Sequence, residues 1–440
     1  MRWRNGGLVV LCRRTIWYNT ILNHWCLEIP SIYLCIMSCP GGAPLSTGKE
    51  KNRAWLERKN QGAHLRACHD EKIVISNNSC MQKATMSYQE IPQIYTLKDI
   101  EPIVSDPRFA KELIDAIQNG FVAYSQGKFN ASPVQTMGAP PMAPFIAGVE
   151  NYCAQTCVKS GYITGESHYV IKVASGGHPH PNSGLMQLYS QTTGKLEMLL
   201  LDDGLLTELR TAAVGAVAAR LLAPDLCVRD VHGREMMCIG ILGTGVQARY
   251  QIRYLAHITD CRRVRVWGRT ERNTTQFIKD MEAEGWSVSA VESPQHLLEA
   301  PEDDWYCPLI VTTTSSREPL LKLAKPCHQK RPLHITCVGA DSTGKIELDP
   351  TLVESADLLV ADSRLQTRER GEFEEALKRD LISLETVTEL GELVLEKESW
   401  RVSEDDNRLT IFDSSGVAVQ DCIIATMFAQ QVHKKDNKKL

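Results

Sequence analysis

The alternation of apolar and polar positions is clearest between Met236 and Thr270. An apolar run, Met237-Cys238-Ile239-Gly240-Ile241-Leu242, leads straight into the glycine turn Gly243-Thr244-Gly245-Val246-Gln247-Ala248. Ile252, Leu255, Ala256 and Ile258 then recur at helical spacing, and Val264-Arg265-Val266-Trp267 reads as a second strand. Strand, glycine turn, helix and strand in about 30 residues is the length a βαβ crossover needs. Gly243 permits the tight turn, Gly245 lets the backbone approach a pyrophosphate, and Ala248 is small enough for close helix–sheet packing. Free N–H groups at the helix start attract a phosphate's charge. The pattern therefore predicts a dinucleotide site over Gly243, Thr244, Gly245, Val246 and Gln247.

The flanking patterns extend this unit. Upstream, Phe109, Leu113, Ile114, Ile117 and Val122 predict a helix over about Pro107 to Tyr124. Ser125 to Pro144 reads as a loop or short strand. Cys153–Lys159 and His168–Ala174 read as strands, and Thr192-Thr193-Gly194-Lys195 as a hairpin turn between two more. An alanine-rich helix spans Thr207 to Leu222 and ends at Pro224. Downstream, a helix over Thr275–Gly285 alternates with strands at Ser287–Val291, Pro308–Thr313, His334–Val338 and Leu358–Asp362. Such alternation predicts an α/β fold, a Rossmann doubly wound parallel sheet. Its ligands belong beyond the C-terminal strand ends, where Thr314-Ser315-Ser316 and Gly339-Ala340-Asp341 stand. A last helix over Val417–Val432 follows the strand and turn Leu409 to Gly416.

The end of the second strand bears on the cofactor. An NAD-binder usually places an acid there for the ribose 2′-hydroxyl. This chain has Trp267-Gly268-Arg269-Thr270 instead. Arg269 paired with a 2′-phosphate, with Thr270 donating a hydroxyl, favours NADP(H), with NAD(H) the alternative. The bland reading is a solvated arginine after a strand.

Composition adds three points. At 440 residues with a net charge of −4, the chain has room for two domains and no general pull toward nucleic acid or anionic membrane. Residues 1–85 differ from the rest: twelve Lys/Arg face five Asp/Glu, with four of the eight tryptophans and six of the 15 cysteines. We expect low order there, a linker over residues 41–60, and either an organelle transit sequence or an extension upstream of a start at Met86. The sequon at Asn77 reads as chance. No apolar run reaches transmembrane length, and the scattered, odd-numbered cysteines fit reduced thiols in a cytoplasmic protein. Cys227, Cys238 and Cys337 read as buried structural cysteines, and no metal site is expected.

From Ile91 to Val432 the chain resembles the ornithine cyclodeaminase and mu-crystallin family. The matching pieces are Tyr169-Val170-Ile171-Lys172-Val173, Leu206 to Ala213 (LTELRTAA), Gly240 to Ala248 (GILGTGVQA), Val338-Gly339-Ala340-Asp341 and Phe412-Asp413-Ser414-Ser415-Gly416. Five pieces in order are far more specific than any one. The resemblance implies a homodimer with a discontinuous α+β substrate-binding and dimerisation domain, 90–229 plus 414–440, around a Rossmann domain over 230–413. Active sites would lie in the cleft between them. It further implies that Lys172 and Arg210 hold a substrate carboxylate and that Asp341 moves the proton. Thr314, Ser315 and Gly416 would approach the nicotinamide half of the cofactor. Each has a plainer alternative: a surface lysine at a strand end, an arginine neutralised by Asp202, Asp203 or Glu208, a helix-capping aspartate, ordinary turn hydroxyls.

One position departs from the pattern. In Ser132-Pro133-Val134-Gln135-Thr136 the family offers another substrate-binding arginine where this chain has Gln135. An amide can bond a carboxylate but cannot neutralise it, which weighs against the strict ornithine cyclodeaminase reaction. His178-Pro179-His180-Pro181 lacks a third metal ligand and reads as a solvent loop. The expected function is an NAD(P)-dependent oxidoreductase acting on a C–N bond of an amino acid or cyclic imine, by hydride transfer at the α-carbon. The alternative is an NADPH-dependent small-ligand carrier without turnover.

Overall fold

The structure, a computed structural model, describes residues 91–138, 155–177, 180–227, 237–299, 306–322, 331–396 and 407–437, together with the backbone of short strands between Leu8 and Met37. The chain forms two compact units, Met1–Tyr88 and Gln89–Leu440. In the first, those short strands pair into a sheet of their own, where the sequence carries no sustained strand period. The rest of 1–85 lies outside the described residues, as do His178, Pro179 and the Asn77 sequon.

The second unit holds two sheets. The first contains β1 (Gln93–Thr96), β2 (Phe129–Ala131), β3 (Gln135–Gly138), β4 (Gln155–Ile163), β5 (His168–Gly177), β6 (His180–Ser190) and β7 (Leu196–Leu201). Its order is β1-β7-β6-β5-β4-β2, with β3 also paired to β4, and only the β1–β7 pair is parallel. Two helices precede most of it: α1 (Leu97–Val104) and α2 (Pro107–Ser125). Asp106 caps α2 by accepting from the Arg108 N–H at 2.9 Å, and Pro107 stands where its missing N–H costs nothing. Helix α3 (Leu205–Leu222) is buried nearly all round, because it packs on α2 and on helices that follow it in the chain.

The second sheet has eight strands: β8 (Met237–Leu242), β9 (Arg263–Trp267), β10 (Ser287–Ala290), β11 (Tyr306–Thr312), β12 (Leu333–Cys337), β13 (Leu358–Ala361), β14 (Val387–Glu389) and β15 (Leu409–Asp413). The order is β10-β9-β8-β11-β12-β15-β13-β14 and every pair is parallel. All six residues of β8 are buried, as a parallel strand covered on both faces requires. Around it run α4 (Val246–Leu255), α5 (Glu271–Ala283) and the short α6 (Leu390–Leu395). The order reverses between β8 and β11, so the ligand crevice of this α/β fold lies beyond their C-terminal ends.

The final helix, α7 (Ala418–Asn437), leaves the second sheet after β15 and packs against α2, α3, β4 and β5. It carries residues from the chain's end to the strands that hold Lys172. Among the described residues, no helix is long and apolar enough to cross a membrane. Cys238 and Cys337 are buried, as expected; Cys227 is exposed, because α3 ends before it and leaves it on a turn.

Helix α6 meets α2 through a bare glycine. A Cβ built on Gly391 would stand 1.9 Å from the Phe121 carbonyl oxygen, and backbone cannot retreat as a side chain can. Gly391→Ala should therefore cost about 1–3 kcal/mol by overpacking. Thermal unfolding should show a Tm several degrees lower; an unchanged Tm would mean that the two helices separate freely.

Candidate active site

The site begins with the β4–β5 hairpin. Its antiparallel register sets Lys172 directly opposite Lys159, and both side chains are buried. Like charges placed opposite one another destabilise a sheet, more so inside the protein. An anion relieves Lys172 alone of the two. Asp421, in the first turn of α7, accepts from Lys172 Nζ at 3.1 Å. The same oxygen stands 3.1 Å from Nε of Arg210, which α3 brings from the other side. Arg210 also donates to Gln420 Oε1 at 2.5 Å. Asp202, Asp203 and Glu208 are thus not what holds Arg210.

Burial raises the Asp421 carboxyl, but Lys172 and Arg210 outweigh it and leave it below its ordinary value. Lys172 is lowered by burial, with Asp421 opposing. Lys159 lacks that relief. Its Nζ donates to the Gly416 carbonyl at 2.6 Å, and burial, with Lys172 and Arg210 nearby, lowers it to about 7. Gly416 has φ +82°, and a Cβ there would lie 3.2 Å from both Lys159 Nζ and an Arg210 nitrogen. The Gly416 N–H donates to Asp362 Oδ2 at 2.7 Å, so buried groups hold this peptide on both sides.

A second group of buried acids lies under the strand ends. Glu347 is fully buried and accepts from Thr312 Oγ1 at 2.6 Å, the Thr314 N–H at 2.5 Å and the Gly339 N–H at 3.1 Å. One carboxylate thus ties the loop after β11 to the loop after β12, which carries Asp341. Glu372 accepts from the Glu347 N–H at 2.9 Å and the Leu348 N–H at 2.5 Å. Burial lifts Glu347 and Asp413 to about 7 each and Glu372 well above its ordinary range. Asp341 itself has a side chain 59 % exposed and pairs with Lys345 at 2.5 Å. Desolvation by its surroundings pushes the carboxyl up, but Lys345, with Lys159 and Arg210, prevails and leaves it below its ordinary value.

The dinucleotide turn follows the sequence. Gly243 has φ +117°, which a side chain would strain, and at Gly245 a Cβ would meet nothing within 4 Å. Gly245 caps α4 with no side-chain bond, so the first N–H groups of α4 stay available to a phosphate. These features fit a dinucleotide. Gln247 donates to Glu208 Oε2 at 2.5 Å and accepts from Gln251, which ties the turn to α3 two residues before Arg210. Val246, Arg269, Thr270 and Ser315 are exposed, and Gly268, Arg269 and Thr270 after β9 include no acid. Gln135 is exposed on β3, opposite Val158, next to Lys159 in sequence.

The sequence reading singled out Lys172, Arg210 and Gly416, which meet here, and missed Lys159, Gln420, Asp421 and Glu347. A signal existed for Lys159: folding β4 back on β5 about the turn at Gly165 puts it across from Lys172. Asp421 had none, since its partners lie 211 and 249 residues away.

A parallel sheet with a glycine turn at its switch point and a buried cationic cluster nearby fits the nicotinamide-dependent oxidoreductases that act on C–N bonds. The chain belongs to the ornithine cyclodeaminase/mu-crystallin family, whose profile matches residues 96–436. It is 34% identical over 286 residues to an uncharacterized cyclodeaminase of Sinorhizobium fredii, covering 63% of this chain and 80% of the relative. It is 33% identical over 238 residues to the iminosuccinate reductase of Paracoccus denitrificans, covering 54% and 67%. An archaeal alanine dehydrogenase dimer with bound NAD superposes with a TM-score of 0.64 at 25% identity, over 78% of this chain and 97% of that one. The chain is an NAD(P)-dependent oxidoreductase of C–N bonds.

The raised acids predict a pH dependence. The folded Glu372 keeps a proton that the unfolded chain releases above about 4.5, so its contribution to stability falls as pH rises from there. Gln mimics the protonated acid. Glu372→Gln should change Tm by no more than about 2 °C at pH 5 and raise it at pH 8. A Tm lowered equally at both values would count against a protonated Glu372.

Proposed function

We propose that the enzyme interconverts an α-amino acid and its imine, and that Arg210 and Lys172 hold the substrate's α-carboxylate. The observation that carries this reading is the pair of buried cations sharing one carboxylate oxygen of Asp421 beside the Gly416 peptide. Two positive charges against one negative leave an excess that an anionic substrate neutralises, in a buried setting where such pairing is strong. The nicotinamide, when bound, supplies or accepts the hydride. The protein's part is to fix the carboxylate, exclude water and manage the proton.

Asp341 is our candidate for the proton. It sits on the loop pinned by Glu347, close enough to Lys159 and Arg210 for their charges to act on it. Its low affinity for protons suits a group that accepts one briefly and passes it to solvent. Thr314 and Ser315, on the facing loop, are our candidates for the nicotinamide end. Gln135 leaves its strand position uncharged, which favours reduction of a preformed imine over the cyclodeaminase sequence of steps.

We assign substrate binding and dimerisation to 90–229 with 414–440, and dinucleotide binding to 230–413. The dimeric alanine dehydrogenase supports a homodimer. We further assign NADP(H) as the preferred cofactor, because Arg269 is exposed after β9 with no acid beside it.

Stopped-flow or plate assays of NADPH oxidation with cyclic ketimines and with keto acids plus ammonia test the reaction. NAD(P)+ reduction with amino acids tests its reverse. The reading fails if no member of either panel turns over while NADPH still binds. Arg210→Met should raise KM for the amino acid or imine about 100-fold, the worth of a charged hydrogen-bonded pair, with the NADPH Kd unchanged. Arg269→Ala should weaken NADPH about 10-fold or more and leave NADH within about 2-fold. Equal losses for both would remove the 2′-phosphate from this site.

A further inference from the structure

Charge accounting in the cluster leaves one cation unexplained. Lys172 and Arg210 share Asp421, so one incoming carboxylate completes that set. Lys159 stands outside it. Its partner is a neutral carbonyl, that of Gly416, and among the described residues no carboxylate lies within ion-pair distance of its Nζ. The charges acting on it are Lys172 from β5, Arg210 from α3, Arg370, and Asp421 from α7, while Lys159 in turn acts on Asp362 after β13 and on Asp341. Asp362 is committed to the Ser415 hydroxyl and the Gly416 N–H, Asp341 to Lys345.

A buried amine without a counter-ion is costly, and a structural role would be met more cheaply by an apolar side chain. The hairpin register makes the cost larger by setting Lys172 opposite. A second unmet group belongs to the residue that binds Arg210. The Nε2 of Gln420, whose Oε1 binds Arg210, is buried with no acceptor among the described residues. A cation paired only with a neutral carbonyl, and an amide N–H without an acceptor, next to a carboxylate clamp, are what an additional anionic group on the substrate would satisfy. Lys159 Nζ and an Arg210 nitrogen each stand 3.2 Å from the point where a Gly416 side chain would begin, so both cations are within reach of one short molecule.

We propose that Lys159 is a specificity residue that receives a second carboxylate, so that the substrate is a short dicarboxylic α-amino acid or its imine. The proposal rests on the amino acid–imine reading above. It carries a proton consequence. Burial lowers Lys159 to about 7, and an arriving carboxylate favours its charged form. Binding at pH 7–8 therefore draws a proton from solvent onto Lys159.

Calorimetry on the full chain, with NADP+ present and absent, tests this without turnover. The probes are L-aspartate against L-asparagine and L-glutamate against L-glutamine, pairs that differ in charge and hardly in shape, with L-alanine as the monocarboxylate. At least one acid should bind about 10–100-fold tighter than its amide, the worth of a charged hydrogen bond. Its binding heat should vary with the buffer's ionisation enthalpy as proton uptake demands. Lys159→Met should abolish both the preference and the uptake and leave L-alanine within about 3-fold. Lys159→Arg should keep the preference and lose the uptake, because a guanidinium stays charged. The proposal is overturned if acids and amides bind alike, if neither binds, if Lys159→Met keeps the preference, or if that variant weakens L-alanine as much as L-aspartate. Absence of turnover in the assay panels would sink the reaction reading and leave this binding ratio to be read separately.

Discussion

One oxygen of Asp421 holds the site together. It lies between Lys172 on a hairpin and Arg210 on a helix, and it comes from a third element near the chain's end. Remove it and two buried cations face each other with nothing between them, a change that costs about 3–5 kcal/mol where one partner of a buried pair is lost. The path of the last helix follows from this. After β15 the chain leaves the parallel sheet and packs along α2, α3 and the hairpin, which brings Gln420 and Asp421 to the cations. The Phe412-Asp413-Ser414-Ser415-Gly416 piece is the hinge of that return, and Asp362 clamps it through Ser415 and Gly416.

A second constraint works from below. Parallel strands end in N–H groups with no partner in the sheet. Here carboxylates meet several of them: Glu347 takes the N–H groups of Thr314 and Gly339, and Glu372 those of Glu347 and Leu348. The loops that carry Thr314 and Asp341 are thereby fixed to one another through a single side chain. That rigidity has a cost in charge. Burial raises Glu347, Glu372 and Asp413, and the charges of Glu347 and Asp413 oppose ionisation of Glu372 further, so the floor of the crevice favours protons that solvent-exposed acids would release.

The inner strands of the parallel sheet were legible because each is a short buried run followed by turn residues, and β8 with its glycine turn carries a pattern few other folds use. The hairpin strands were legible as strands, yet β4 was read as ending at Lys159 where it continues to Ile163. That early stop hid the register, and with it the opposition of Lys159 and Lys172. Lys172 and Arg210 stood out through family motifs. Asp421 and Glu347 did not, because an acid in a helix or loop is usually solvated and only tertiary packing makes it a partner. Asp341 matched its motif, but its ion pair with Lys345 four residues on was not weighed. Pairings over hundreds of residues leave no local period to read.

The glycine turn and the cationic cluster are also parts of one device. Gln247, in the turn, donates to Glu208, and Glu208 stands two residues before Arg210 on α3. Gln251, one helical turn further on, reaches the Thr211 carbonyl, in the space a side chain at Gly215 would take. Helix α4, which begins at the expected pyrophosphate position, is therefore bonded to α3, which carries the expected carboxylate clamp. Neither helix can shift without disturbing the other, since half-buried Gln247 and buried Gln251 both bond across to α3. A cofactor that fixes the start of α4 thus fixes the orientation of Arg210 as well. Order at the turn Gly243 to Gln247 and order at Arg210 therefore rise together, and the polar contacts of Gln247 and Gln251 are the physical link.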